Sequence, residues 1–264
     1  KVSGIAWHGD GFYYSRYPEP PADAGEYSAR NEDHQVYFHA LGTTQDADTL
    51  VYHDPEHPQR FHLLGTTEDE RFAVLSVSDR GQGKDGNALL VRDLSVAQAP
   101  FLPLWPHFDD QMAVLDNDGD ALLVLTNRGA PNQRVVRIDP QHPDESKWQV
   151  VIPEASDPLE NVSTAGGRLF ASYLHDVTSR VEVWRYDGTR EREVQLPGLG
   201  TAMGFMGERD ASSVWYTFTS FTAPATVYRY RLSSGESTVY RAVTLPFDPS
   251  AFETRQVFVT SKDG

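Results

Sequence analysis

Residues 120–140, DALLVLTNRGAPNQRVVRIDP, decide the fold class of this chain. An apolar run at 121–125 is followed by a Gly-Ala-Pro turn and by a second run in which apolar and polar residues alternate. Two short apolar runs separated by glycine, proline and asparagine are typical of a β-hairpin. The stretch therefore predicts two antiparallel strands joined by a turn near Gly129.

The same hairpin pattern recurs along the chain, at residues 70–94, 167–187 and 211–232. Together with shorter apolar runs on either side, these hairpins form units that repeat at roughly 40–50 residues. A supersecondary unit of this length is the signature of a β-propeller blade. We predict an all-β fold, a β-propeller with about five four-stranded antiparallel blades, and we place the last strand of the fourth blade at residues 194–196.

The composition excludes several classes of protein. The formal net charge is −15, whereas nucleic-acid binding needs a basic surface. The chain has no cysteine, so neither a disulfide framework nor thiol chemistry is expected. No apolar run approaches the roughly 18–20 residues that span a bilayer. We expect a soluble protein of the cytoplasm or periplasm, with no nucleic-acid and no membrane partner.

Two polar segments are predicted to be loops. Residues 18–34, PEPPADAGEYSARNEDH, are rich in proline and charge and almost free of aliphatic side chains, which is typical of a mobile loop. Residues 79–86, DRGQGKDG, combine glycines with polar residues. Such a loop can bring its backbone close to a ligand.

Residues 116–120, DNDGD, resemble the start of a calcium loop. An EF-hand loop needs a bidentate glutamate at its twelfth position, where this chain has Asn127. A turn between two strands is the favoured interpretation.

A histidine cluster is the second candidate metal site. His53, His57 and His62 lie close in sequence to two carboxylates, and histidine with carboxylate is a common metal-binding combination. Pro55 and Pro58 interrupt any regular face that would bring the imidazoles together. Surface-loop histidines are therefore favoured, and we predict no metal and no cofactor.

Three arginines, Arg80, Arg128 and Arg180, lie at or near loops between the second and third strands of their units. Loops at corresponding positions of successive blades emerge on the same face, so they could form a ring of cations. Alternatively, they are solvated turn residues or partners for nearby carboxylates. No Gly-x-Ser-x-Gly motif is present, so a Ser-His-Asp triad has no support within these residues.

The hairpin sequences resemble the prolyl oligopeptidase family of serine peptidases. The segments LLVLTNRGAPNQRVVRIDP, DESKWQVVIPE, ASYLHDVTSRVEV, YTFTSFTAPATVY and RQVFVTSKDG are similar to the later blades of that family's propeller, and the last of them resembles the segment that leads back into the peptidase domain. WHGDGFYYSRYP and VYFHALGTTQDADTLVYHD are similar to an earlier blade. The resemblance covers essentially the whole chain.

This resemblance implies a propeller of seven blades that caps an α/β-hydrolase domain carrying a Ser-Asp-His triad and cleaving short peptides after proline. Residues 1–247 would then be blades of an incomplete ring, and 248–264 the start of the hydrolase domain. Both ends look like cuts through a larger protein, and the chain stops on what looks like the first half of a hairpin. No catalytic residue is carried over. The implied partners are the hydrolase domain of the same protein and short proline-containing peptides.

The resemblance also implies site residues. Residues 18–34 match a gating loop, represented by Pro18, Glu26, Tyr27, Arg30 and His34. Candidates for the wall of the substrate cavity are Arg80, Gln82 and Arg128. The expected function is that of a noncatalytic propeller that restricts substrate entry. The alternative is a stand-alone propeller that acts as a protein-interaction scaffold.

Overall fold

Five sheets of four antiparallel strands make up the fold in the computed structural model, which describes residues 3–19, 31–79, 81, 83–246 and 251–263. Within each sheet, neighbouring strands are also neighbours in sequence. Several of the longer strands place buried residues at alternate positions, as in β2 (Gly11–Arg16) and β6 (Phe72–Asp79). This period of two is what the side-chain alternation of a β-strand requires.

The strand bounds follow the predicted repeat. The first sheet consists of β1 (Ile5–His8), β2 (Gly11–Arg16), β3 (Gln35–Ala40) and β4 (Thr49–Tyr52). The second consists of β5 (Arg60–Thr66), β6 (Phe72–Asp79), β7 (Ala88–Asp93) and β8 (Leu102–Trp105). The third consists of β9 (Met112–Asp118), β10 (Ala121–Thr126), β11 (Arg134–Ile138) and β12 (Gln149–Ile152). The fourth consists of β13 (Leu159–Ala165), β14 (Arg168–His175), β15 (Thr178–Arg185) and β16 (Arg190–Glu193). The fifth consists of β17 (Thr201–Met206), β18 (Ser213–Thr219), β19 (Thr226–Arg231) and β20 (Ser237–Arg241).

The turn between β9 and β10 shows how local sequence forms these hairpins. Asp118 pairs with Ala121, which leaves Gly119 and Asp120 as a two-residue turn. Gly119 has a φ of 60°. Two-residue hairpin turns require positive φ at their first position, and glycine adopts it without steric cost. The turn predicted for residues 116–120 is therefore confirmed.

The described chain divides into two compact units, Lys1–Pro131 with Val135–Gln149, and Asn132–Arg134 with Val150–Gly264. The first unit has two apolar clusters, one around Val36 and Leu75 and one around Leu89 and Leu122. The second unit has one cluster. At its centre the rings of Phe170, Phe205 and Tyr216 are stacked, with centroid distances of 5.5 and 4.5 Å.

Two details of the sequence prediction are wrong. The last strand of the fourth sheet was expected at residues 194–196, but β16 is Arg190–Glu193. Its charged sequence RERE suits the outer edge of a sheet, where charge discourages pairing with another chain. The first half of a hairpin expected near the end of the chain is not formed, since residues 252–260 lie in no strand.

Candidate functional site

Loops from three successive sheets meet along one side of the first unit, here called the loop edge: residues 31–34, 53–60, 83–87, 106–111 and 127–130. Backbone hydrogen bonds join these loops. The amide of Asp33 donates to the carbonyl of Pro58 at 2.8 Å, and the amides of Gly86 and Asn87 donate to the carbonyls of Phe108 and Asp110 at 3.1 and 3.0 Å. Two pairs of these loops, 31–34 with 53–60 and 83–87 with 106–111, are therefore bonded to each other. The amide of Gln111 also donates to the side-chain oxygen of Asn127 at 2.7 Å, which attaches the fifth loop.

His34 is buried in this surface. Its ring is stacked on Phe61 at 4.2 Å and lies 4.6 Å from the ring of Tyr17. The backbone amide of His62 donates to Nδ1 of His34 at 3.0 Å. The predicted mobile loop is therefore wrong at its last residue, because His34 is packed between strands of two sheets. Aromatic stacking at a loop end is a long-range contact that loop composition does not reveal.

Arg60 lies at the centre of the loop edge. Its guanidinium donates to Asp54 at 3.0 Å and to Asp79 at 3.1 Å, and lies 4.9 Å from the ring centre of Phe108. Burial acts to raise the pKa of Asp54, but hydrogen bonds from His57 and Arg60 outweigh it and lower that pKa. Sequence reasoning missed Arg60. The available signal was an arginine at the first position of a strand that contains Phe61, Leu63 and Leu64.

Arg128 lines an open groove of about 750 Å³ at the end of the loop edge. Its Nε donates to Glu145 at 3.2 Å, its Nη1 lies 3.7 Å from Asp110, and its guanidinium lies 5.4 Å from the ring of Trp105. The hydrogen bond with Glu145 is the main cause that raises the pKa of Arg128. The side chain is 43% exposed, so part of the guanidinium still faces solvent.

Arg180, in the second unit, is also paired with carboxylates. It donates to Asp157 at 3.0 Å and to Glu182, and its guanidinium lies 4.5 Å from the ring of Tyr173. Arg128 and Arg180 are each neutralised by two carboxylates, so for these two arginines the pairing alternative is confirmed.

The other predicted site residues divide into two groups. Pro18 is exposed at the start of the predicted gating loop. Glu26, Tyr27, Arg30, Arg80 and Gln82 lie outside the described residues.

The residues proposed as candidate metal ligands are buried or form ion pairs instead. His62 is buried on β5, which makes the prediction of a surface-loop residue wrong for His62, whereas His57 is partly exposed and pairs with Asp54 at 3.0 Å. In the turn at 116–120, Asp118 and Asp120 pair with Arg137 and Arg71, each at 2.5 Å. Within the described ranges, no three histidines or carboxylates are placed to share a metal ion.

Helices are few and short among the described residues, as at Gln45–Ala47 and Glu145–Lys147. In the part that the structure describes, no helix has the length and apolar character needed to cross a bilayer.

The succession of five four-stranded antiparallel sheets defines this chain as a β-propeller domain. The family model described as the prolyl oligopeptidase N-terminal β-propeller domain matches residues 1–243. The chain belongs to the prolyl oligopeptidase family.

Sequence identity and structural superposition with individual relatives support this assignment. The prolyl endopeptidase of Elizabethkingia meningoseptica is 38% identical over an alignment of 265 residues, which covers 100% of this chain and 37% of that protein. A solved prolyl endopeptidase structure superposes with a TM-score of 0.86 at 32% identity, over 99% of this chain and 38% of that one. Prolyl oligopeptidase B from Galerina marginata, bound to a 25mer macrocyclization substrate, superposes with a TM-score of 0.85 at 25% identity. This superposition covers 100% of this chain and 37% of that one. The chain thus spans little more than a third of the length of these relatives.

Proposed function

We propose that this chain is the noncatalytic propeller of a serine endopeptidase that cleaves short peptides after proline. The observation that carries the proposal is the 38% identity with a prolyl endopeptidase over the whole chain. Residues from about 248 onward lead, in this proposal, into an α/β-hydrolase domain that holds the nucleophile. A location in the cytoplasm or periplasm stays a prediction.

The propeller's contribution is to hold loops in position around an entrance and to exclude large substrates. The bonded loop edge supports this role, because access loops need a rigid support to open and close reproducibly. In related prolyl endopeptidases, inter-domain dynamics have a role in catalysis and specificity. We assign the gate to residues 18–34, and the wall of the substrate cavity to Arg80, Gln82 and Arg128.

The division of labour can be tested with one substrate. A chromogenic peptide with proline before the reporter group is given to residues 1–264 alone and to the intact protein. We expect no cleavage by residues 1–264, and cleavage by the intact protein that a serine-directed phosphonate abolishes. Cleavage by residues 1–264 would contradict the proposal. An intact protein with no peptidase activity would favour the interaction scaffold instead.

The gate needs a test of its own. In the intact protein, residues 20–30 are replaced by a short Gly-Ser linker, and kcat/KM is compared for a long and a short peptide with the same cleavage site. We expect kcat/KM for the long peptide to rise relative to kcat/KM for the short one, because a shortened gate excludes long peptides less strongly. The matched control replaces residues 42–47, which connect β3 to β4 of the same sheet, and should leave the ratio unchanged. If the ratio of kcat/KM for the long over the short peptide were equal in both variants and in the parent protein, the assignment of the gate to residues 18–34 would be refuted.

A further inference from the structure

Two hydrogen bonds connect a pair of histidines from neighbouring sheets. His34 lies directly before β3, and His62 is the third residue of β5. The backbone amide of His62 donates to Nδ1 of His34 at 3.0 Å, and Nδ1 of His62 bonds to the backbone carbonyl of His34 at 2.7 Å. Both residues are at most 1% exposed. We call them the histidine pair.

The two bonds require neutral imidazoles of opposite tautomers. A nitrogen that accepts a hydrogen bond carries no proton, so neutral His34 has its proton on Nε2. A carbonyl can only accept, so His62 has its proton on Nδ1. These assignments follow from the partners of each ring nitrogen, which is how histidine tautomers are established from a structure.

A second proton on either ring disrupts this arrangement. On His34 it must go to Nδ1, where it would face the amide of His62 and remove the bond. On His62 it must go to Nε2, which is buried and has no hydrogen-bond partner. An unpartnered buried charge is strongly disfavoured. Burial accordingly lowers the pKa of His62, although the hydrogen bond to the His34 carbonyl acts in the opposite direction.

The surrounding charged groups already have partners. Asp33 lies 3.6 Å from Nε2 of His53, and Asp54 is bonded to His57 and Arg60. The negative charge of Asp54 raises the pKa of His62, and the charges of Arg60 and His53 lower it. The titratable and charged groups around the pair, from every described element packed on it, are Tyr17, Asp33, Tyr52, His53, Asp54, His57, Arg60 and Asp79.

We infer that His34 and His62 are positioning residues that attach residues 31–34 to the second sheet while both are neutral, and that protonation releases this attachment. The sign follows from the geometry: the attachment is complete above the ordinary histidine pKa of about 6.5, weakens as the pH falls below that value, and is lost as the pH falls through the lowered pKa of His62. The consequence for catalysis rests on the proposed function, because residues 31–34 end the segment assigned to the gate. Selection between long and short peptides is then expected to depend on pH.

The attachment can be measured without activity, by hydrogen exchange of the intact protein at pH 7.5 and 5.5. After correction for intrinsic exchange rates, we expect protection of residues 31–36 and 60–64 to fall by about tenfold for each histidine protonated. Protection of β10 should not change. Wild-type protein that keeps full protection of both segments at pH 5.5 would overturn the inference.

Asparagine variants separate the charge from the hydrogen bonds. His34→Asn keeps an acceptor and His62→Asn keeps a donor near the position of each Nδ1, and neither side chain titrates. The double variant should retain protection at both pH values, whereas His34→Ala should lose it at both. The matched control is His142→Asn, which replaces an exposed histidine paired with Asp139. Loss of protection on acidification in the double variant, to the extent seen in wild type, would refute the inference.

Two further measurements keep the test decisive. Nitrogen-15 spectra of the imidazoles should show the proton on Nε2 of His34 and on Nδ1 of His62 at pH 7.5, and any other tautomers would refute the inference even if the variants did not fold.

The ratio of kcat/KM for a long over a short peptide should change between pH 7.5 and 5.5 in wild type only. An unchanged ratio with pH-dependent protection would reject the gate and leave the histidine pair intact, so the two failures are distinguishable.

Discussion

Replacing Glu191 by glutamine should destabilise the second unit and change its response to acid. Three arginines donate hydrogen bonds to this carboxylate: Arg168 at 2.9 Å, Arg185 at 2.6 Å and Arg192 at 3.3 Å. The Glu191 side chain is only 8% exposed. Removing one partner of a buried ion pair leaves the other charges uncompensated, which is strongly destabilising.

The magnitude follows from the pKa of the carboxyl group. Burial acts to raise the pKa of Glu191, but the hydrogen bonds from the three arginines outweigh it and hold the pKa at about 2, compared with an ordinary value of 4.5. This difference corresponds to about 3 kcal/mol of stability at neutral pH. Because the folded-state pKa is the lower one, the contribution is present above pH 4.5 and is lost as the pH falls toward 2. Between pH 7 and pH 3 the loss is about 2 kcal/mol.

Urea unfolding of the intact protein at pH 7 and pH 3 tests this reasoning, with Trp184 and Trp215 as fluorescence reporters in the second unit. The free energy of unfolding of Glu191→Gln should be about 3 kcal/mol lower than that of wild type at pH 7, and the gap should narrow at pH 3. Glu253→Gln is the control, because that glutamate pairs with Arg255 at an exposed position and should have no measurable effect. An equal gap at both pH values would refute the electrostatic explanation.

Two further predictions concern the loop edge. Gly86→Ala should lower the free energy of unfolding by about 2 kcal/mol, because a Cβ there would lie within 2.5 Å of backbone atoms of Phe108 and Asp110. Gly65→Ala, on a strand with nothing within 4 Å of the added Cβ, is the control for thermal melting, and equal stability of the two variants would contradict the reasoning. Arg128→Gln should raise KM for a proline-containing peptide and leave kcat unchanged, if the exposed part of its guanidinium contacts substrate as proposed. An unchanged KM would remove Arg128 from the substrate cavity.

Much of the fold could be predicted because it is encoded locally. The hairpin at 120–140 is marked by two apolar runs and a turn, and Gly119 supplies the positive φ that the preceding turn needs. The same local pattern, repeated at blade length, predicts the number of sheets. The edge strand Arg190–Glu193 was missed because its charged sequence carries no apolar signal, and only its position at the border of a sheet makes such a strand stable.

Most of the candidate site could not be predicted in the same way. Arg60 is held by Asp79, and His34 by His62, across separations of 19 and 28 residues. A polar side chain is read from sequence as a surface residue, since most charged and polar groups are exposed. Whether such a side chain is buried instead depends on hydrogen-bond partners that lie on other strands.

The amino-acid sequence alone determined that this chain is an all-β propeller, because strand periodicity, turn residues and blade length are properties of neighbouring residues. The prolyl oligopeptidase family was indicated separately, by the resemblance of the hairpin sequences to that family. Tertiary structure decided which polar residues are buried and paired, including the histidine pair, Arg60 and Glu191. The physical reason is that a buried charge or imidazole is stable only with its hydrogen-bond partners in place, and the packing of separate strands brings those partners together.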